Sequence, residues 1–150
     1  MANVRERIRM SDEEVWQFFE ESRHLQVATI GRDGSPHLMT LWFAVAQGAL
    51  VFPSYTKSQK VVNLGRDPRI AVLAEAGETY AELRGVSING RAELVDTDPR
   101  RIDLSQRIYR RYYPEKSEAE LREMAESGSR KRTMVLVHPE KIRSWDHRKI

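Results

Sequence analysis

Two tight turns, set close together, constrain this chain most. Gly31-Arg32-Asp33-Gly34 divides the apolar run Leu25 to Ile30 from a second run, His37 to Ala46. Gln47-Gly48 then divides that run from Leu50 to Phe52. Asp-Gly tolerates the positive φ that a hairpin turn demands. Two consecutive hairpins predict an antiparallel meander. Further along, Ile70 to Glu75 and the long segment Tyr80 to Val95 read as strands, and Gly85 and Gly90 predict bulges or sharp coiling in the second. Thr133 to Val137 is the last clear strand, with Ile142 to Trp145 as its candidate extension. Six or seven antiparallel strands with peripheral helices fit a small barrel.

The helices announce themselves by their caps. Ser11-Asp12-Glu13-Glu14 reads as a capping box, followed by an apolar face of Val15, Trp16, Phe18 and Phe19 that ends near Arg23. Asp98-Pro99 starts a helix with Pro at its first position, and Pro114 stops it after about Tyr112. Ser117-Glu118-Ala119-Glu120 is a second box, and Ser127-Gly128-Ser129 closes the helix it opens. With 150 residues, 40% of them apolar, the chain reads as a single domain, residues 1–150, that buries a real core. No apolar run approaches the roughly 18 residues of a spanning helix, so no membrane partner is expected. Met1 to Arg7 lacks an apolar stretch of the secretory kind, and the absence of cysteine fits a cytoplasmic protein. A net charge of +3 favours anionic ligands without implying nucleic acid.

The stretch Tyr55-Thr56-Lys57-Ser58-Gln59-Lys60 carries the strongest chemical signal. It follows the strand Leu50 to Phe52 and sits at the start of a helix that should run to about Leu64, with Gly65 as its left-handed end. A helix N-terminus offers unpaired N–H groups and partial positive charge. Lys57 and Lys60 add charge, and Thr56 and Ser58 add hydroxyls, which together suit a phosphate. A solvated basic helix start is the bland alternative, and spacing alone favours it. Asn63, one turn on, reads first as a helix-end hydrogen bond.

This strand, anion-friendly turn, short helix and strand, ending in Asp67-Pro68-Arg69 and Ile70 to Ala74, resembles the pyridoxamine 5'-phosphate oxidase-like split β-barrel family. The flavin/deazaflavin oxidoreductase branch of actinobacteria is the most similar. Val27-Ala28-Thr29-Ile30-Gly31-Arg32-Asp33-Gly34-Ser35-Pro36-His37 and Val86-Ser87-Ile88-Asn89-Gly90-Arg91-Ala92-Glu93-Leu94 extend the resemblance over roughly residues 10 to 146. It implies an FMN-binding type of split barrel, mainly β, with the cofactor phosphate at Lys57, Ser58, Lys60 and Thr56. It also implies that Met39, Thr40, Leu41 and Trp42 lie along the flavin ring, with Val27, Ala28 and Thr29 as neighbours. Trp145-Asp146-His147 falls where relatives bring their C-terminal segment near the partner subunit's cofactor, which makes Trp145 a cofactor-contact candidate. An edge tryptophan with a polar tail is the plainer reading of that end.

Other features are weaker. Arg100, Arg101, Arg107, Arg110 and Arg111, with Tyr109, Tyr112 and Tyr113, make a basic aromatic helix that nucleic-acid proteins also use. Asp96, Asp98 and Asp103 interrupt that field, so a solvated face packed through Ile102, Leu104, Ile108 and Tyr112 is preferred and no nucleic-acid partner is expected. The four histidines show no metal-ligand spacing, so no metal is expected. No nucleophile elbow, paired carboxylate site or Gly-rich nucleotide loop is present, which suits redox chemistry done by a cofactor.

The expectation is a homodimer with cofactor sites at the interface. Each site would transfer a hydride between the deazaflavin coenzyme F-420 and a small planar organic substrate. Arg66 and Arg69, with Lys131 and Arg132 farther off, are the candidates for an acidic coenzyme tail. FMN is the alternative cofactor, and a non-catalytic flavin- or tetrapyrrole-binding protein the alternative function.

Overall fold

The computed structural model describes residues 3–150. Seven strands form one antiparallel sheet: β1 (Leu25–Ile30), β2 (Pro36–Leu41), β3 (Ala44–Ala46), β4 (Ala49–Tyr55), β5 (Arg69–Ala76), β6 (Arg84–Val95) and β7 (Arg132–Asp146). Their lateral order is β2-β1-β5-β6-β7-β4-β3. β2 and β3 are consecutive in the chain, yet they occupy opposite edges. Only Trp42 and Phe43 lie between them, and three peptide steps reach at most about 11 Å. The sheet must therefore curl until its edges approach. The result is the expected split barrel, mainly β with peripheral helices.

The helices are α1 (Val4–Arg7), α2 (Asp12–Glu21), α3 (Gln59–Arg66), α4 (Arg100–Tyr112) and α5 (Glu118–Gly128). β1 alternates Leu25, Val27 and Thr29 into the interior, and α3 presses Val61 and Leu64 onto the same side. Phe19, Phe43 and Phe52 are fully buried at the centre of the main cluster. Truncating any of them to Ala should destabilise by about 3–5 kcal/mol. A second cluster, Val51, Val95, Ile108, Met134 and Leu136, seats α4 against β4 and β7.

Several elements depart from the sequence expectation. The run His37 to Ala46 is not one strand, because Trp42 leaves the ladder to stack on Tyr112 of α4, with ring centroids 4.2 Å apart. The Phe43 amide then donates to the Tyr112 hydroxyl at 3.1 Å. Tyr80–Glu82 forms a single 3-10 turn ahead of β6, held by the Glu82 carboxylate on the Thr79 amide and hydroxyl. Gly65 lies inside α3 and does not end it; the cap is Asp67, in extended conformation, whose amide donates to the Asn63 carbonyl. Pro99 precedes the first helical residue of α4. The Ser11 box is half made: its hydroxyl accepts from the Glu14 amide, but the Glu14 carboxylate pairs with Lys149. The Ser117 box is complete.

The two glycines of β6 act differently. At Gly90 the register with β7 slips, and a Cβ there would meet the His138 carbonyl oxygen at 2.3 Å. At Gly85 there is no slip. The Trp145 indole occupies the space, 2.2 Å from where a Cβ would sit. β7 itself runs unbroken as one strand, joining the two segments expected separately.

Candidate functional site

The start of α3 is built from the turn upward. Ser58 caps the helix, its hydroxyl accepting from the Val61 amide at 3.4 Å and sharing a 2.8 Å hydrogen bond with Ser54. Thr56 shares a 3.0 Å hydroxyl pair with Thr133 of β7. These two hydroxyls hold the turn against β4 and β7. The amides of Gln59 and Lys60 have no acceptor among the described residues. Lys57 is exposed in the turn.

Lys60 is different from every other lysine of the region. It is only 9% exposed, and among the described residues its ammonium makes no hydrogen bond or ion pair. The helix puts it beside Val61 and Leu64, so its stem is packed while its head has no carboxylate to meet. Burial pulls its pKa below the usual 10.5. An unpaired buried ammonium is costly, and an anion would offset that cost. Asn63 is fully buried one turn on, donating to Thr29 at 3.1 Å and accepting from Gln59 at 2.7 Å. It ties α3 to β1 from inside the helix, where a helix-end hydrogen bond was expected, because the seating of α3 on the sheet brings Thr29 within reach.

Lys60 lines a groove of about 460 Å³. Leu41 and Trp42 form one wall, Pro53, Ser54 and Tyr55 of β4 the floor, and Ser105, Ile108, Tyr109 and Tyr113 the α4 side. Arg132 of β7 completes it. Two cations and three tyrosines line this space, and no carboxylate does. Its size falls in the usual range for organic ligands. The tyrosines and Ser105 were missed as lining residues. Their signal was the spacing of positions 105, 108, 109 and 113, one face of a helix.

Of the candidate ring contacts, Leu41 and Trp42 meet Lys60 in this groove, and Thr40 and Met39 do not line it. Thr40 faces the opposite side of the sheet, in a separate cleft with Gln26 and Glu75. Met39 sits opposite Val27 and is 46% exposed. Val27 and Thr29 are core residues. Trp145 lies elsewhere, in a wide groove of about 960 Å³ with Arg5, Arg9, Val15 and Ile142. Within one chain it does not reach the Lys60 groove. Asp146 pairs with Arg148 at 2.8 Å, which holds its carboxyl below the usual range. His147 Nδ1 lies 2.8 Å from the Tyr80 carbonyl.

The α4 arginines are each engaged within the chain. Arg100 pairs with Glu93, Arg101 with Asp98 and Arg110 with Glu118. Arg107 donates to the Val45 carbonyl at 3.3 Å. Arg111 donates to the carbonyls of Phe43, Phe19, Glu20 and Ser22 and lies 4.4 Å above the Phe43 ring. The two nearer candidates for an acidic tail are engaged too. Arg66 donates to the Ile30 carbonyl, and Arg69 pairs with Asp67 at 2.7 Å, lowering the Asp67 pKa to about 2. Among the described residues no cluster of His, Cys, Asp and Glu could hold a metal, and no helix is long and apolar enough to cross a membrane.

Residues 11–146 match the family described as pyridoxamine 5'-phosphate oxidase. The chain belongs to the pyridoxamine 5'-phosphate oxidase family. No curated protein matches it. Among solved structures it is similar to the conserved hypothetical protein Rv2991 from Mycobacterium tuberculosis, at 40% identity and a TM-score of 0.92, over 99% of this chain and 92% of that one. A protein described as an F420 reductase shares the fold at 20% identity and a TM-score of 0.61, over 88% of this chain and 98% of that one. HutZ, the heme storage protein of Vibrio cholerae, does so at 18% identity and 0.67, over 87% and 92%. The Lys60 groove thus combines a buried ammonium, without an ion-pair partner among the described residues, with the apolar side chains of Leu41, Trp42 and Ile108.

Proposed function

We propose that the chain is an oxidoreductase that holds a phosphate-bearing flavin in the Lys60 groove, the deazaflavin coenzyme F-420 ahead of FMN. The observation that carries this reading is Lys60, nine-tenths buried without a counter-ion beside two free amides. Lys60 and the Gln59 and Lys60 amides bind the phosphate. Trp42, braced by its stack on Tyr112, and Leu41 orient the ring and keep water from it. When bound, such a cofactor supplies hydride transfer to or from a small planar organic substrate. The second cation of the groove, Arg132, favours the deazaflavin, whose acidic tail outreaches the single phosphate of FMN. The fold relative described as an F420 reductase supports the same choice.

The groove also supports a second reading, a binder without turnover. Its lining holds no His, Asp or Glu, and its one lysine is already assigned to the phosphate, which leaves serine and tyrosine hydroxyls to move a proton. The protein is proposed to work as a homodimer. Leu38 (66% exposed) and Met39 of the edge strand β2, with Trp42 just beyond it, are apolar side chains that a second copy would cover, and Trp145 is the candidate contact to a partner's site. Absorbance titrations with FMN and with F-420 test the binding reading; if neither binds, it is overturned. Steady-state turnover with the bound cofactor separates enzyme from binder. Light scattering should give about twice the 17.4 kDa chain mass, and a stable monomer that binds cofactor would overturn the shared site.

A further inference from the structure

We propose that Arg132 selects ligands of the Lys60 groove that carry a carboxylate in addition to their phosphate. This rests on the reading of that groove as a site for a phosphate-bearing flavin.

Arg132 lines the same groove as Lys60. It opens β7 just after α5 ends, and three groups hold it there. Its Nη1 donates to the Gly128 carbonyl at 3.0 Å and to the Tyr109 hydroxyl at 3.3 Å. Its Nη2 donates to the Tyr55 hydroxyl at 3.3 Å, and the guanidinium carbon lies 4.9 Å from the Tyr55 ring centre. Gly128 makes room for this arrangement, because a Cβ there would meet the Tyr109 hydroxyl at 2.5 Å. Among the described residues no carboxylate pairs with Arg132. That sets it apart from Arg69, Arg100, Arg101, Arg110, Arg122 and Arg148, each of which has an acid of its own.

A guanidinium carries five N–H donors. Three are used here, which leaves Nε–H and one Nη2–H. A carboxylate arriving in the groove has these two donors to accept from. Arginine pairs with a carboxylate's two oxygens more readily than lysine does, because its donors are fixed in one plane. Because the tyrosines and the helix end already fix the side chain, little rotamer freedom is lost when an acid arrives. Lys60 is a point charge suited to a phosphate, whereas Arg132 is a directional fork suited to a planar acid. A ligand with both groups offers each residue the group that suits it, whereas FMN offers its phosphate alone.

The test titrates FMN, F-420 and F-420 trimmed of its glutamates into wild-type protein and Arg132→Gln. The expected result is that the ratio of F-420 to FMN affinity falls about tenfold or more in the variant, the scale of a charged hydrogen bond. The trimmed coenzyme locates the acid. If its ratio to FMN falls as far, the carboxylate lies next to the phosphate; if it does not fall, the carboxylate belongs to the glutamates. Tyr55→Phe loosens the fork without removing it and should lower the same ratio severalfold, which keeps the proposal testable if Arg132→Gln folds poorly. A ratio unchanged in both variants overturns the role of Arg132 while leaving the groove as a flavin site. Failure of every cofactor to bind wild-type protein overturns the groove reading and the Arg132 proposal together.

Discussion

Helices α3 and α4 both gather cations, and they use them in opposite ways. α4 carries five arginines, and each already has an acid or a backbone carbonyl of the chain itself. α3 and its turn carry fewer charges, but Lys60 is buried with no ion-pair partner among the described residues. Number of charges says little about binding. What distinguishes the two is whether the fold has already satisfied them. In α4 the cations are structural fasteners, and Arg111 is the main one, pinning the end of α2 and the approach to β3 to α4 through four carbonyls.

The largest expected effect follows from that contrast. Arg111→Ala should lower unfolding free energy by about 2–4 kcal/mol in urea titration, since it strands carbonyls and forfeits charge-assisted bonds. Cofactor affinity of the folded protein should be retained. An unchanged midpoint would break the comparison on the α4 side. Next, Lys60→Ala should weaken FMN and F-420 alike by about 1–3 kcal/mol in spectroscopic titration, without lowering the unfolding midpoint. A stability loss with intact affinity would make Lys60 another fastener. Arg110→Ala removes an exposed ion pair with Glu118 and should cost less than about 1 kcal/mol by the same urea measurement. A larger loss would mean the α4 surface is more tightly integrated than its exposure suggests.

The smallest effect is a pH slope. The folded pKa of Lys60 lies below its unfolded value, so the unfolded chain binds more protons at alkaline pH. Stability then rises with pH, from the depressed folded pKa up to about 10.5, by this group's contribution. Lys60→Met should flatten that rise when melting is followed across the alkaline range. An identical slope in both proteins would show that Lys60 is not desolvated in solution.

Much of the fold was legible because its signals are local. The Gln47-Gly48 turn, with positive φ at both residues, and the Ser117 box are decided by neighbours a few positions away. The break at Trp42 was not legible, because Tyr112 makes it from the far side of the chain. The strand pattern through residues 37–46 continues in sequence where the ladder stops in space. The site divides the same way. Lys60 could be read as a cation near a helix start, but its burial depends on how α3 seats against the sheet. Arg66 and Arg69 looked like free cations until the Ile30 carbonyl and Asp67 took them, while Arg132 looked remote until the register of β7 against β4 brought it beside Tyr55. Long-range pairing, which no local pattern encodes, decides which charges are left over.

Sheet edges joined by a peptide link can part and close again without breaking a backbone hydrogen bond. Between any other neighbours in this sheet, widening the spacing gives up paired amides, each worth about 0.5–1.5 kcal/mol net. Between β2 and β3 there is no ladder to lose. Within the reach of the link, side chains set the width there: Trp42 on Tyr112, and the Tyr112 hydroxyl, which accepts from the Phe43 amide and donates to the Arg23 carbonyl. The Lys60 groove opens beside that link, with Leu41 and Trp42 in its wall. Any widening at that link would leave every rung of the barrel intact, so this is the seam where the wall of the groove is held by side chains and not by the sheet.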